Sequence, residues 1–289
     1  MADSIVRRTW ERLWFAPAGP TNLAAARILL ALAALWIVLS RRDLPSILEF
    51  PHAILGAIPP ERRLRFGLLL GAGPERVLWG ALHVVLGATL FGVATRWAAL
   101  ASGLLLYHLA PLETIVWTGN PYLRGLTIPA LGLLVVAASA SAGSFPRRGV
   151  PDARSWENRW PLALIQLLFA QIYFFAGWSK LVTSGVAWVS PVNIRNYVLV
   201  LDQLFGFQEG TLGGNAIVRW PGFAVAVAIA GILLDLLFPL VLLSRRARWA
   251  LLPAAALFHV ANGLVFHIWF QNAPLLLLFV DWDALRSRR

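Results

Sequence analysis

Residues 160–180 read WPLALIQLLFAQIYFFAGWSK, an apolar run long enough to cross a bilayer as a helix. The run ends on Lys180, the one lysine among the 25 Lys and Arg residues of the chain. Arg keeps its proton at working pH, whereas burial can leave a lysine amine neutral. Lys180 is therefore a candidate for a group that gains and loses a proton. The alternative is a lysine that only extends from a helix end to the membrane interface.

The rest of the chain carries further runs of this length. Of its 289 residues, 58% are hydrophobic and 13% are charged, about half the charged fraction of a soluble domain. The runs do not alternate as the strands of a membrane barrel do. We predict an all-α fold, a polytopic transmembrane helical bundle of about eight helices with no soluble domain. The predicted spans are 22–40, 76–94, 97–117, 121–141, 160–182, 221–243, 248–270 and 273–285, with a long loop at 183–219.

The whole chain, residues 1–289, is predicted to form a single transmembrane domain. Its first part, residues 1–20, mixes Arg with Trp and Phe, which is typical of an amphipathic segment at the membrane interface. The helical bundle is assigned to residues 21–285. Arg residues are more numerous on the side of the N-terminus, although the loop at 41–75 carries Arg on the opposite side. This pattern predicts a multi-pass protein of a bacterial-type cytoplasmic (inner) membrane, with its N-terminus in the cytoplasm.

Charge and side-chain chemistry exclude several functions. The net charge of +11 comes mainly from Arg near helix ends, which predicts contact with membrane lipids and their anionic headgroups and no nucleic-acid partner. Cysteine is absent, so disulfides and thiolate metal sites are excluded. The five histidines form no close ligand set with a carboxylate, and no metal is predicted. A haem held by two histidines from different spans stays open as an alternative.

Polar side chains inside the spans are costly in lipid, and they mark either function or hydrogen bonds between helices. Arg27, Glu113 and Asp235 are assigned as structural polar groups, with Asp235 neutralising Arg27 or another cation. Tyr173 precedes Lys180 by seven residues, so both lie along one face of their helix.

A second polar face is predicted on the span at 248–270. His259 and Asn262 lie three residues apart and share this face with Phe266. Two helices therefore present polar groups beside aromatic and small side chains. We interpret both faces as candidate ligand-binding surfaces. The alternative is that their polar groups only hold the helices together by hydrogen bonds.

Five stretches resemble one known family. QIYFFAGWSKL and FHVANGLVFHIWF are similar to motifs in the membrane part of vitamin K-dependent gamma-glutamyl carboxylase and its bacterial relatives, the horizontally transferred transmembrane (HTTM) proteins. LAAARILLALAALW resembles the first helix of that family, WTGNPYLRGL its W-N-N-H-S-Y-L motif, and GILLDLLFPLVLL the stretch that carries its Asp. The resemblance follows nearly the whole chain in order and implies a membrane-embedded helical bundle.

The resemblance also implies specific roles. Lys180 stands at the position of the base that deprotonates the hydroquinone in the carboxylase, so it is the candidate catalytic residue. The candidate cofactor is a reduced menaquinone or vitamin K-type quinol. Asn120 stands where the carboxylase motif has His, and with Asn262 it is expected to hydrogen-bond the ring oxygens of the quinol. Trp178 and Phe266 are expected to stack on the ring.

Three functions stay open. An enzyme would oxidise a quinol-type lipid with Lys180 as the base. A non-catalytic membrane protein would anchor or assist a periplasmic or secreted partner, as the resemblance to short bacterial family members implies. A transporter is disfavoured, because the two halves of the chain show neither a repeat nor helices broken at matching places.

Overall fold

The computed structural model describes residues 2–40, 72–116, 125–139, 154–205, 214–266 and 268–286. Within these residues the secondary structure is helical, apart from one isolated bridge between Ala18 and Ser155. The predicted all-α class is therefore confirmed. The α-helices are α1 (Ala2–Phe15), α2 (Pro20–Ser40), α3 (Ala72–Phe91), α4 (Thr95–Val116), α5 (Thr127–Ala138), α6 (Trp156–Ser184), α7 (Pro191–Phe205), α8 (Gly214–Arg219), α9 (Pro221–Leu237), α10 (Arg245–Phe266) and α11 (Trp282–Arg286). Short 3-10 helices occupy Gly185–Val189, Phe238–Leu242 and Ala273–Phe279.

Several helical segments are long and apolar enough to cross a membrane. α5 is also apolar but has only 12 residues. Several helices of this length and hydropathy are typical of a multi-pass α-helical membrane protein. The figure of about eight spans stays a prediction, because some predicted spans fall partly outside the described residues. The four described segments of sufficient length are Pro20–Ser40, Trp156–Val189, Pro221–Leu242 and Arg245–Phe266.

The prediction of a long loop at 183–219 is wrong for the described residues of that range, which are mostly helical. The chain continues from α6 into the 3-10 helix Gly185–Val189 and then into α7. Ser190 caps α7, because its side-chain oxygen accepts a hydrogen bond of 3.3 Å from the backbone N–H of Val192. The helix then buries Ile194 on its inner side. The helix has 15 residues and exposes polar Arg195 and Asn196 among apolar side chains, so hydropathy alone does not reveal it.

The chain divides into two compact units, and the first contains residues 1–166 and 280–289. Within it α2 packs against α3 and α5, and α4 packs against the same two helices. Arg27 lies on the buried side of α2 and is 1% exposed. Its guanidinium donates hydrogen bonds to the backbone oxygens of Thr89 and Leu90 at the end of α3. Arg27 therefore satisfies carbonyl groups that the last turn of a helix leaves without an intrahelical partner.

Two segments that are far apart in the sequence cap each other within this first unit. The Asp283 carboxylate accepts hydrogen bonds from the backbone N–H of Thr21 at 3.1 Å and from the side-chain amide of Asn22 at 2.9 Å. In return, the Asn22 side-chain oxygen accepts from the backbone N–H groups of Trp282 and Asp283, at 2.6 and 3.2 Å. The start of α2 and the start of α11 are therefore stabilised by the same pair of side chains.

The second unit contains residues 167–279. Within it α9 packs against α7, α8, α10 and the 3-10 helix Gly185–Val189. The single-domain assignment over the whole chain stays a prediction. One hydrophobic cluster of this unit is formed by Ile194, Val198, Ile217, Ala224 and Ala228.

Candidate functional site

Lys180 and Asp235 form an ion pair inside the second unit. The Lys180 Nζ lies 2.5 Å from the Asp235 Oδ2, and the two side chains are 24% and 4% exposed. Lys180 belongs to α6, and Asp235 belongs to α9, 55 residues further along the chain. Either charge would be costly to bury alone, and in apolar surroundings the two attract each other strongly. The cation that neutralises Asp235 is therefore Lys180.

Gly177 allows α6 and α9 to approach closely enough for this contact. A Cβ atom added at Gly177 would lie 2.8 Å from the Cβ of Asp235 and 3.1 Å from the Cγ of Leu236. A side chain larger than hydrogen at this position would push the two helices apart. Because Gly177 precedes Lys180 by three residues, the close approach falls on the same side of α6 as the amine.

The ring of Trp188 covers the amine of Lys180. The Lys180 Nζ lies 5.6 Å from the centroid of the Trp188 ring, which is within the range of a cation–π contact. Trp188 belongs to the 3-10 helix Gly185–Val189. Sequence reasoning misses Trp188, because this segment is predicted to be a loop. The available signal is an aromatic residue that follows the lysine by eight positions and lies two positions before a Ser–Pro helix start.

Tyr173 and His259 form a second polar pair in the same unit. The Tyr173 hydroxyl oxygen lies 2.5 Å from the His259 Nε2. The Tyr173 ring stacks on that of Phe238, with centroids 3.9 Å apart and planes at 19°. Phe169 and Phe279 complete this aromatic cluster. A buried tyrosine needs a hydrogen-bond partner for its hydroxyl, and His259 supplies it.

The other ring nitrogen of His259, Nδ1, is buried and has no hydrogen-bond partner among the described residues. A neutral imidazole has one donor and one acceptor nitrogen, so Nδ1 is left with an unmade bond whichever nitrogen carries the proton. A buried polar atom in this condition costs about 1–3 kcal/mol. The hydroxyl or carbonyl group of a bound molecule is suited to make the missing bond.

Three further predicted ligand residues also lie in the second unit, but their described contacts are with other groups. The side-chain amide of Asn262 donates to a backbone oxygen of its own helix at 2.7 Å. Phe266 packs edge-on to Tyr197, with ring centroids 6.3 Å apart. Trp178 is 51% exposed and faces away from Lys180, because helix residues two apart do not share a face. Their predicted roles in ligand binding stay predictions.

The remaining predicted residues lie outside this site. Arg27 belongs to the first unit, where it bonds to the end of α3. Asn120 and the side chain of Glu113 fall outside the described part of the chain, and their roles stay predictions. Across the described ranges, no three His, Asp or Glu side chains are grouped to hold a metal. The expectation that the protein holds no metal likewise stays a prediction.

The second unit contains two polar pairs, Lys180–Asp235 and Tyr173–His259, whose side chains carry exchangeable protons in apolar surroundings. Tyr173 and Lys180 lie about two turns apart on one face of α6, and each is bonded to a side chain from another helix. Aromatic rings pack beside both pairs. This arrangement suits the binding of a flat apolar molecule with a hydroxyl group, and the transfer of a proton from that group.

Fold and site together define a class, a multi-pass α-helical membrane protein with ionisable side chains paired among its helices. The model of the HTTM domain family matches residues 15–281. The chain belongs to the HTTM domain family, which confirms the resemblance that its motifs indicated. Searches of curated proteins and of solved structures found no significant match.

Proposed function

We propose that the protein binds a lipophilic quinol, or a similar hydroxyl-bearing lipid, and that Lys180 is the general base that deprotonates it. The observation that carries the proposal is the Lys180–Asp235 pair, an amine 2.5 Å from a carboxylate within an apolar helical unit. Membership of the HTTM family supports the proposal, because Lys180 resembles the base of the related carboxylase in its motif and position.

The side chains present fit a molecule of this kind. The buried Nδ1 of His259 offers a hydrogen bond that no described residue uses. The aromatic rings next to Tyr173 and Lys180 offer apolar faces on which a flat apolar ring can stack. A reduced menaquinone or vitamin K-type quinol carries hydroxyl groups on such a ring. Lys180 and His259 are the residues that we expect to meet its polar atoms.

In the proposed reaction, the neutral Lys180 amine accepts the proton of a ligand hydroxyl, and the electrons of that O–H bond stay on the ligand oxygen. On the protein, this step produces an ammonium–carboxylate pair, the arrangement that the 2.5 Å contact with Asp235 fits. With dioxygen as the oxidant, one quinol is converted into one quinone epoxide and one water molecule.

Exchange of Lys180 for Arg tests the base. Arg keeps a positive charge beside Asp235 but cannot give up its proton. We expect Lys180→Arg to be expressed and folded like the wild type while oxidation of a reduced menaquinone by dioxygen falls by at least about 100-fold. The measurement follows quinone and epoxide formation by purified protein in mild detergent.

The matched control is Arg195→Lys, which makes the reverse exchange at an exposed position of α7 and is expected to leave the rate unchanged. A wild-type rate in Lys180→Arg contradicts the proposed base. Mass spectrometry of lipids that copurify with the wild type adds an independent measurement, since a bound quinone is expected.

A second function, that of a non-catalytic membrane protein assisting a periplasmic or secreted partner, has one observation in its favour. Lys180 is bonded to Asp235, and Tyr173 is bonded to His259, so the polar groups satisfy one another as structural pairs do. Preparations without bound quinone, together with a Lys180→Arg variant that retains partner binding and has no catalytic defect, would favour this function.

A further inference from the structure

We propose that Trp188 is a positioning residue for Lys180. Its ring holds the ammonium form of the amine beside Asp235, and it thereby sets the pH range over which Lys180 takes up a proton. This inference rests on the proposed base function and adds a residue that controls the base.

Two different groups contact the amine. The Asp235 carboxylate lies 2.5 Å from the Lys180 Nζ, and the Trp188 ring centroid lies 5.6 Å from it. The carboxylate comes from α9, whereas the ring comes from the 3-10 helix that follows α6. The chain turns into this 3-10 helix at Gly185, which has a φ of +54°. The amine is therefore held by a carboxylate and an aromatic ring supplied by different elements.

The Trp188 ring is held in place by contacts that do not involve Lys180. The side-chain amide of Asn193 donates to the Trp188 backbone oxygen at 3.1 Å. The ring packs edge-on to Tyr197 of α7, with centroids 6.4 Å apart, and Tyr197 packs in turn against Phe266 of α10. The position of Trp188 is therefore supported by α7 independently of its contact with the amine.

The ring distinguishes the two protonation states of the amine. A cation–π contact attracts the ammonium and has no comparable effect on the neutral amine, so Trp188 favours the protonated form. The charged group that contacts Lys180 in the described structure is Asp235, and it favours the same form. Tyr173 on the same helix is bonded to His259, and Tyr197 lies against the Trp188 ring. Trp188 thus acts on the proton of Lys180 together with Asp235.

A single lysine makes this inference measurable without any substrate. A small amine-reactive ester acylates only the neutral amine, and peptide mass spectrometry reports the modification at Lys180, the one lysine of the chain. Acylation rates are measured across a pH series for the wild type, Trp188→Phe and Trp188→Leu in mild detergent. Both variants leave a gap beside the amine, but Phe keeps an aromatic ring and Leu does not, so the difference between them in half-maximal pH reports the ring. Trp249→Leu, at a position that is 73% exposed on α10, is the matched control.

We expect the pH of half-maximal acylation to be highest in the wild type, lower in Trp188→Phe and lowest in Trp188→Leu. The total shift should be roughly half a pH unit to one and a half units, and Trp249→Leu should coincide with the wild type. If Trp188 only shielded Lys180 from the reagent, both Trp188 variants would instead show the same increase in the maximal acylation rate. Equal half-maximal pH values in Trp188→Phe and Trp188→Leu would overturn the inference. Should Trp188→Leu not fold, a value for Trp188→Phe at or above the wild type would overturn it as well.

The outcomes for Trp188 and for the proposed function can be told apart. If the acylation curves shift as expected while the wild type oxidises no quinol, Trp188 positions Lys180 and the proposed function fails. If the wild type oxidises quinol and the curves coincide, the proposed function stands and the inference about Trp188 fails. If both hold, the acid limb of the quinol oxidation profile of Trp188→Leu should move to lower pH by the same amount as its acylation curve.

Discussion

Among single residues, Gly177 affects the Lys180 amine indirectly, because its lack of a side chain allows Asp235 to approach. Asp235 contacts the amine because α9 packs directly against the backbone of α6 at Gly177. An ion pair loses attraction as its separation grows, so any widening here weakens the pair. The chemistry proposed for the site thus depends on a packing detail.

Gly177→Ala tests this dependence. The added methyl group would lie 2.8 Å from the Asp235 Cβ, so we expect a loss of about 1–3 kcal/mol in unfolding free energy through overpacking. Gly80→Ala is the control, because a Cβ at Gly80 meets no described atom within 4 Å and alanine favours a helix. The midpoint of thermal unfolding in detergent should fall for the first variant and hold or rise for the second. Equal midpoints would contradict the role of Gly177.

The sequence identifies Lys180 and Asp235 separately, and it does so for a physical reason. A charged residue inside an apolar run can be recognised from the sequence alone, because its neighbours in the run are uncharged. Their pairing is not visible, since it depends on where two helices separated by 55 residues touch. Trp178 and Trp188 show the same limit. Trp178 lies inside the recognised motif but faces away from the amine, whereas Trp188 lies beyond the motif and covers it.

At the scale of elements, the segment after α6 decides what surrounds the base. Apolar runs near bilayer length predict most of the long helices, because one property, hydrophobicity, largely determines them. α7 does not meet that criterion, because it has only 15 residues, and it is held by one buried side that carries Ile194 and Val198. Its Ser–Pro start is a recognisable helix signal that hydropathy does not weigh.

Gly185 offers a test of this segment. Its φ of +54° lies in the left-handed region, where a Cβ atom costs about 1–2 kcal/mol. Asn tolerates this region better than Ala does. We therefore expect Gly185→Ala to lower the unfolding midpoint and to raise the maximal acylation rate of Lys180 by loosening Trp188, with Gly185→Asn between it and the wild type. Identical behaviour of the Ala and Asn variants would show that the backbone conformation at this residue is unimportant.

At the scale of the whole molecule, membership of the HTTM family and several membrane-length helices establish a multi-pass membrane protein. The distribution of Arg further predicts that the N-terminus lies in the cytoplasm and that the segment after α6 lies on the opposite side. This orientation would place the Lys180 end of α6 toward the periplasm of a bacterial cell, where a secreted or periplasmic partner would be found.

The absence of cysteine makes this orientation simple to measure. Single-cysteine variants Ser4→Cys and Val186→Cys are treated with a membrane-impermeant maleimide in right-side-out vesicles. Val186 is 89% exposed and should react at once, whereas Ser4→Cys should react only after the membrane is permeabilised. The reverse pattern would invert the predicted topology, and the cysteine-free parent protein is the control for background labelling.

The mutual capping of Asn22 and Asp283 has a consequence for biosynthesis. The two side chains are 261 residues apart, so the partner that completes the start of α2 is synthesised long after α2 itself. The first membrane-length helix must therefore wait at the translocon, or in the surrounding lipid, with its N-terminal amides satisfied by water or headgroups. Asp283 can cap α2 only after the helices between them have been synthesised, so the first unit closes later than α2 is inserted.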